Sequence, residues 1–233
     1  DFCLSRGLGD VYKRQIKGEG KTVEYALKMK ELPQELRMSV LLEKNQLDRM
    51  LIDKIAKILA DFHVSVETNN KINEFGSIKI IKFNWDENFE QTKNFISKMI
   101  DENQFNFIKL KVNQFIKEDE NLFKERIFKG KIRDCHGDLT SENIFIVKDK
   151  IYIFDCIEFN ERFRYSDTAA DIAFLTMDLE FHDRQDLSDY FTKKYVEYSQ
   201  DEELLKLLTF YKCYRAYVRG KVTSFKLNDF SIS

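Results

Sequence analysis

Three polar side chains near the middle of this 233-residue chain stand where a packed core has no use for them: Asp138, Asn143 and Asp155, with His136 and Gly137 just ahead of the first. Between Asn143 and Asp155 run two short β-branched and aromatic segments, Ile144-Phe145-Ile146-Val147 and Ile151-Tyr152-Ile153-Phe154. Joined by Lys148-Asp149-Lys150, they predict a buried hairpin. Such a hairpin turns the chain back on itself, so Asn143 at its start and Asp155 at its end, twelve positions apart, meet on one side. Their oxygens suit magnesium, which takes one or two protein oxygens and completes its octahedron with phosphate oxygens and water. Asp138 is placed to accept the proton of an attacking hydroxyl, or to aim that hydroxyl. Three convergent polar groups at strand ends cost stability unless something binds there.

The elements that must hold these groups are mostly helical. One Pro and eight Gly leave few breaks in the chain. Between Leu47 and Val64, Met50, Leu51, Ile55, Ile58, Leu59 and Phe62 recur at three- and four-residue steps and predict an amphipathic helix. Helical patterning continues from Phe89 to Phe128, through Phe95, Ile96, Met99 and Ile100 and then Ile108, Val112, Phe115 and Ile116. After the hairpin the spacing predicts helices over Asp167 to Leu179, Asp186 to Tyr198 and Glu202 to about Phe225. Upstream, Val23, Tyr25, Leu27 and Met29 alternate with Glu24, Lys28 and Lys30, the period of a half-buried strand ending before Pro33. Strands and helices are segregated, which is α+β rather than alternating βαβ. The first fifteen residues read differently from the rest: Asp10-Val11-Tyr12-Lys13-Arg14-Gln15 resembles translated adapter sequence and is set aside as a non-native scar.

Composition narrows the class. Thirty-eight Lys and Arg against 40 Asp and Glu give a net charge of −2 with both signs scattered, so no basic stripe tracks a phosphate backbone and nucleic acid is not an expected partner. No apolar run reaches the ~18 residues of a spanning helix, so no membrane insertion is expected. Cys3, Cys135, Cys156 and Cys213 show no C-x-x-C spacing and follow no secretory apolar stretch, which fits a reducing cytoplasm and argues against zinc.

The five-residue offset from Asp138 to Asn143 matches that between the base and the metal-binding Asn of the protein-kinase catalytic loop. The run His136-Gly137-Asp138-Leu139-Thr140-Ser141-Glu142-Asn143-Ile144, followed by Ile153-Phe154-Asp155, resembles the catalytic loop and metal strand of the aminoglycoside phosphotransferase family. The segments Asp155-Cys156-Ile157-Glu158-Phe159-Asn160 and Asp171-Ile172-Ala173-Phe174-Leu175, with Arg164, Asp167 and Met177-Asp178-Leu179-Glu180, are similar to a bacterial branch sometimes fused to a P-loop ATPase domain.

This resemblance implies the protein-kinase-like fold: chiefly the helical large lobe over residues 33–233 with its catalytic hairpin, and over 16–32 a remnant of the small lobe with the hinge. It implies an ATP- or GTP-dependent phosphotransferase acting on a hydroxyl of a small molecule, cytoplasmic and magnesium-assisted. Asp138 is then the base, and Asn143 and Asp155 the metal ligands. Met29, Lys30, Glu31 and Leu32 form the hinge that meets the purine, and Ser141 joins them in nucleotide binding. The small-molecule acceptor is the second partner, and a P-loop ATPase domain, fused or adjacent, a third. Little of the small lobe lies upstream of the hinge, so the chain reads as N-terminally truncated and this fragment alone is expected to be inactive. The alternative is a catalytically silent nucleotide- or ligand-binding kinase-like module.

Plainer readings stand beside these. His136 belongs to the catalytic group, yet a histidine that hydrogen-bonds the loop is expected ahead of a proton carrier. Glu158 is read equally as a contact for metal or cationic substrate and as a surface or capping residue. Arg164, Asp167 and Asp171 could bind substrate, but a buried ion-pair network bracing the loop is expected first. Glu158, Asp178 and Glu180 would suit a cationic acceptor if they faced the cleft. His63 reads as a satisfied packing histidine, and Cys135 and Cys156 as reduced, buried packing residues. A metal-dependent hydrolase using His136, Asp138 and Asp155 would need further His ligands, and His63 and His182 stand in unrelated segments.

Overall fold

A computed structural model describes residues 31–98, 100–148 and 150–226. The chain divides into two compact units at Leu32/Pro33, and the second is described here. The segment read as a scar, the strand expected over 22–30 and the expected hinge positions Met29 and Lys30 lie outside the described residues; of the other two positions expected in the hinge, Glu31 is exposed and Leu32 half-buried.

Ten helices are described: α1 Met38–Glu43, α2 Arg49–Ser65, α3 Asn70–Glu74, α4 Ile78–Thr92, α5 Glu102–Glu118, α6 Glu120–Phe128, α7 Glu161–Arg164, α8 Thr168–Phe181, α9 Gln185–Ser199 and α10 Leu204–Lys226. Four short strands, β1 Ile132–Asp134, β2 Ile144–Val147, β3 Lys150–Ile153 and β4 Tyr165–Asp167, form two antiparallel pairs, β1 with β4 and β2 with β3. The class is α+β.

Asp48 starts α2 by accepting the Leu51 N–H at 2.9 Å, which satisfies one of the donors left open at a helix start. The buried face of α2 is Ile52, Ile55, Ala56, Leu59, Ala60 and His63. Met50 and Ile58, expected on that face, are 62% and 39% exposed, because the alanines rather than the larger side chains let α9 approach. The helical pattern expected from Phe89 is broken over 93–101: a 3₁₀ turn at Lys93–Phe95 follows α4, Ser97 is left-handed at φ 65°, and the Asp101 side chain caps α5 by accepting the Asn103 and Gln104 N–H groups. In α8 every residue from Thr168 to Thr176 is buried, as befits a helix packed between α9 and α10. Aromatic rings fill the space beside it, with Trp85 stacked on Phe89 at 5.3 Å and Phe115 on Phe210 at 4.8 Å.

The hairpin is buried on one strand only. Ile144, Phe145 and Ile146 of β2 are buried, whereas β3 alternates between exposed and half-buried, so the expectation of a fully buried hairpin is corrected. The reason is sheet width: among the described residues β3 pairs on one edge only, while β2 also bridges to Arg37.

Candidate active site

The β1–β4 pairing builds the site from behind. β1 runs directly into Cys135 and His136, and β4 runs directly into α8, so the pair sets the loop against the first turn of that helix. There Asp171, fully buried, accepts the His136 N–H through Oδ2 at 3.0 Å and the Gly137 N–H through Oδ1 at 2.9 Å. His63 Nε2 reaches the same Oδ2 at 3.1 Å, and its Nδ1 meets the Tyr195 hydroxyl at 2.8 Å, so both ring nitrogens of His63 are engaged. Burial works to raise the Asp171 pKa, but the hydrogen bond and charge of His63, together with the charges of His136 and Arg215, outweigh it and hold the carboxyl at about 2. From α10, Arg215 donates to the Gly137 carbonyl at 3.0 Å and to that of Ala170 at 3.1 Å, tying loop and helix together again.

Gly137 adopts φ 82°, and a Cβ there would meet the Phe163 carbonyl oxygen at 2.7 Å, so the turn requires glycine. His136 Nε2 lies 2.7 Å from the Phe154 carbonyl, to which it can only donate, and its Nδ1 accepts the Asp138 N–H at 3.3 Å. Those contacts join the loop to the end of β3. Phe154 is held at its other side as well, its N–H donating to the Asn143 carbonyl at 2.9 Å. The Asn143 side-chain amide donates to the Asp138 carbonyl at 2.9 Å and to Asp138 Oδ2 at 3.1 Å, so its Oδ1 stays available as an acceptor. Asp155 follows at once, exposed and left-handed at φ 60°, a strained conformation for any residue but glycine and one that Asp tolerates better than most.

Asp138, Asn143 and the backbone leading into Asp155 are thus brought together. Ser141 is not on the open side of the loop: it is fully buried, and its N–H and hydroxyl both donate to Asp178 Oδ2, at 2.8 and 2.5 Å. Asp178, itself buried, takes Arg219 on its other oxygen at 2.5 Å, and Glu180 is engaged by Lys212 at 2.8 Å, so neither is a free carboxylate facing a cleft. Glu158 is exposed.

The expected trio of Arg164, Asp167 and Asp171 separates into three contacts. Arg164 pairs with Asp134 at 2.6 Å near the surface, Asp171 holds the loop, and Asp167 forms a two-pronged pair with Arg126 at 2.6 and 2.9 Å. Arg126 also donates to Asp201 at 2.6 Å and is wholly buried; these carboxylates raise its pKa despite the cost of burial. Sequence reading missed Arg126, although it follows Leu122 and Phe123 at helical spacing and so puts a charge on the buried stripe of α6. Cys135 is a buried thiol as expected. Cys156 is exposed, a correction, because the left-handed turn at Asp155 carries the chain away from the hairpin.

Among the described residues one group of three metal-ligating side chains lies close together: His63, Cys135 and Asp171, their ligand atoms within 4.8 Å of one another. It is not a ready metal site. Both His63 nitrogens and both Asp171 oxygens are already bonded, and burial pushes the Cys135 thiol pKa well up, away from the thiolate a metal needs. No described helix is long and apolar enough to cross a membrane.

Uncharacterized proteins of Mycobacterium tuberculosis strain H37Rv and Mycobacterium bovis are each 39% identical to this chain over 171 residues, 73% of its length and 34% of theirs. The chain therefore spans about a third of the length of the curated relatives it matches. No family model matches the chain, and no solved structure matches it significantly.

Proposed function

We propose that this chain carries the phosphoryl-transfer site of a kinase-like small-molecule phosphotransferase, taking ATP or GTP as donor and a hydroxyl as acceptor. One observation carries the reading: Phe154 is clamped from both sides, by Asn143 at its N–H and His136 at its carbonyl, so the residue after it emerges beside Asp138 and Asn143. The buried carboxylate of Asp171 and the guanidinium of Arg215 hold that loop rigid from behind, the kind of support that keeps a reacting group in place.

Asp138 receives the acceptor hydroxyl and takes or aims its proton. The Asn143 amide steadies the Asp138 carboxylate through its N–H and keeps its oxygen available as an acceptor, and Asp155 adds an exposed carboxylate. This all-oxygen donor pair fits magnesium, and when bound the ion neutralises charge on the transferred phosphoryl group. His136 acts as a strut rather than as a proton carrier.

The test is phosphoryl transfer from labelled ATP or GTP to a panel of hydroxyl-bearing acceptors by the full-length protein. Asp138→Asn should keep nucleotide binding and lose turnover by about 10²-fold or more, the upper reach of a positioned base being ~10⁴-fold. Wild-type rates in Asp138→Asn would overturn the base assignment.

A further inference from the structure

At a distance from the loop in sequence, α10 borders a cavity of about 330 Å³, within the size range of small-molecule sites. Phe95, Ile100, Ile108 and Tyr217 give it apolar walls. Most polar groups on the lining are already engaged: the Thr92 hydroxyl bonds the Tyr217 hydroxyl at 2.5 Å, and Ser224 donates to the Gly220 carbonyl at 2.8 Å. The Cys213 thiol is kept protonated by burial, which raises its pKa.

Lys221 is different. Its ammonium donates to Asn88 Oδ1 at 2.6 Å and to Gln91 Oε1 at 2.8 Å, both neutral oxygens, and among the described residues no carboxylate is in ion-pair contact with it. The nearby Glu87 is paired with Arg162 at 2.8 Å. An ammonium has three N–H donors, so one remains for a further partner, and partial burial draws its pKa down against the opposing pull of the Glu87 charge.

Gly220 adds a second sign. It sits inside the 23-residue α10, where glycine is a poorer helix former than alanine. Close helix packing does not explain it, because a Cβ built there meets nothing within 4 Å. The bare backbone opens instead onto the cavity.

We propose that this cavity binds an apolar monocarboxylate, its hydrocarbon body against Phe95, Ile100, Ile108 and Tyr217 and its carboxylate paired with Lys221. The occupant follows from charge complementarity: one cation without a counter-ion at an otherwise apolar site calls for one anionic head on an apolar body. The site shares no lining residue with the catalytic loop, and the proposal stands whether or not the chain transfers phosphate.

Calorimetric titration of the protein with octanoate, and with octanamide as its neutral isostere, tests it. Octanoate should bind saturably at one site and octanamide about tenfold more weakly or not at all. Lys221→Gln should weaken octanoate to the same degree. Gly220→Leu should abolish binding by filling the cavity, with circular dichroism showing that both variants stay folded. No saturable octanoate binding, equal affinity for octanamide, or undiminished binding by Gly220→Leu would each overturn the proposal. The comparison of the two ligands uses unaltered protein, so it decides the matter even if a variant unfolds.

Discussion

Replacing Asp171 by Asn probes the brace behind the loop with almost no change in shape. The carboxylate serves three donors with two oxygens: Gly137 N–H on Oδ1, and His136 N–H with His63 Nε2 on Oδ2. An amide has one oxygen, so whichever way it turns, one backbone N–H faces an NH₂ group and loses a charged acceptor, a loss of ~1.5–3 kcal/mol. The pKa gives an independent figure. A fall from the ordinary 3.8 to about 2 on folding is on the order of 2–3 kcal/mol at ~1.36 kcal/mol per pKa unit.

The sign follows from the depressed native pKa. As pH falls the unfolded chain takes up the proton first, so the stabilisation is complete above the unfolded pKa near 3.8 and is lost as pH drops through about 2, roughly half of it being gone by pH 3. Urea unfolding of wild type and Asp171→Asn at pH 7 and pH 3 measures both quantities. The variant should be about 2–3 kcal/mol less stable at pH 7, roughly 5–10 °C in Tm for a chain of this size, and the gap should shrink by about half at pH 3. A gap below ~0.5 kcal/mol at pH 7, or one that stays constant with pH, would refute the brace.

Three further outcomes follow from the same geometry. Gly137→Ala should destabilise by more than ~1 kcal/mol and disturb the loop, because its Cβ would meet the Phe163 carbonyl at 2.7 Å; a melting curve equal to wild type would contradict this. Arg126→Ala should cost about 3–5 kcal/mol by leaving Asp167 buried without a counter-charge, which denaturant unfolding reads directly. A thiol reagent applied to native protein should modify Cys156 quickly and Cys135 only on unfolding, as peptide mass mapping would show; equal rates would place the turn at Asp155 wrongly.

How far the sequence carried depends on the length of the pattern. The helices α2, α9 and α10 were legible to within a few residues because each repeats its apolar spacing over several turns, and α8, buried on nearly every side, was legible as a long run without Pro or Gly. The hairpin was legible because β-branched runs flank a polar turn. The β1–β4 pair was not, since three-residue strands hold too little alternation to register, yet this pair sets the loop against α8. Asp138, Asn143 and Asp155 could be picked out by type and spacing. Asp171 was legible as part of a network bracing the loop and His63 as a packing histidine, but the partners of these two residues, and of Arg215 and Asp178, were not, because they lie 34 to 108 positions away for the contacts that matter most. Long-range hydrogen bonds leave no local periodicity. The exposure of Cys156 depends likewise on one backbone angle at Asp155.

The central claim, that Asn143 and Asp155 form the metal pair of a nucleotide site, is tested most directly by substituting manganese for magnesium and following its spin-resonance signal. Titrations of the full-length protein with manganese and ATP or GTP would compare wild type, Asp155→Ala and Cys135→Ser. Nucleotide-dependent manganese binding should be present in wild type, lost in Asp155→Ala and unchanged in Cys135→Ser. Binding that survives Asp155→Ala and disappears in Cys135→Ser would move the metal to the buried His63, Cys135 and Asp171 group and contradict the account.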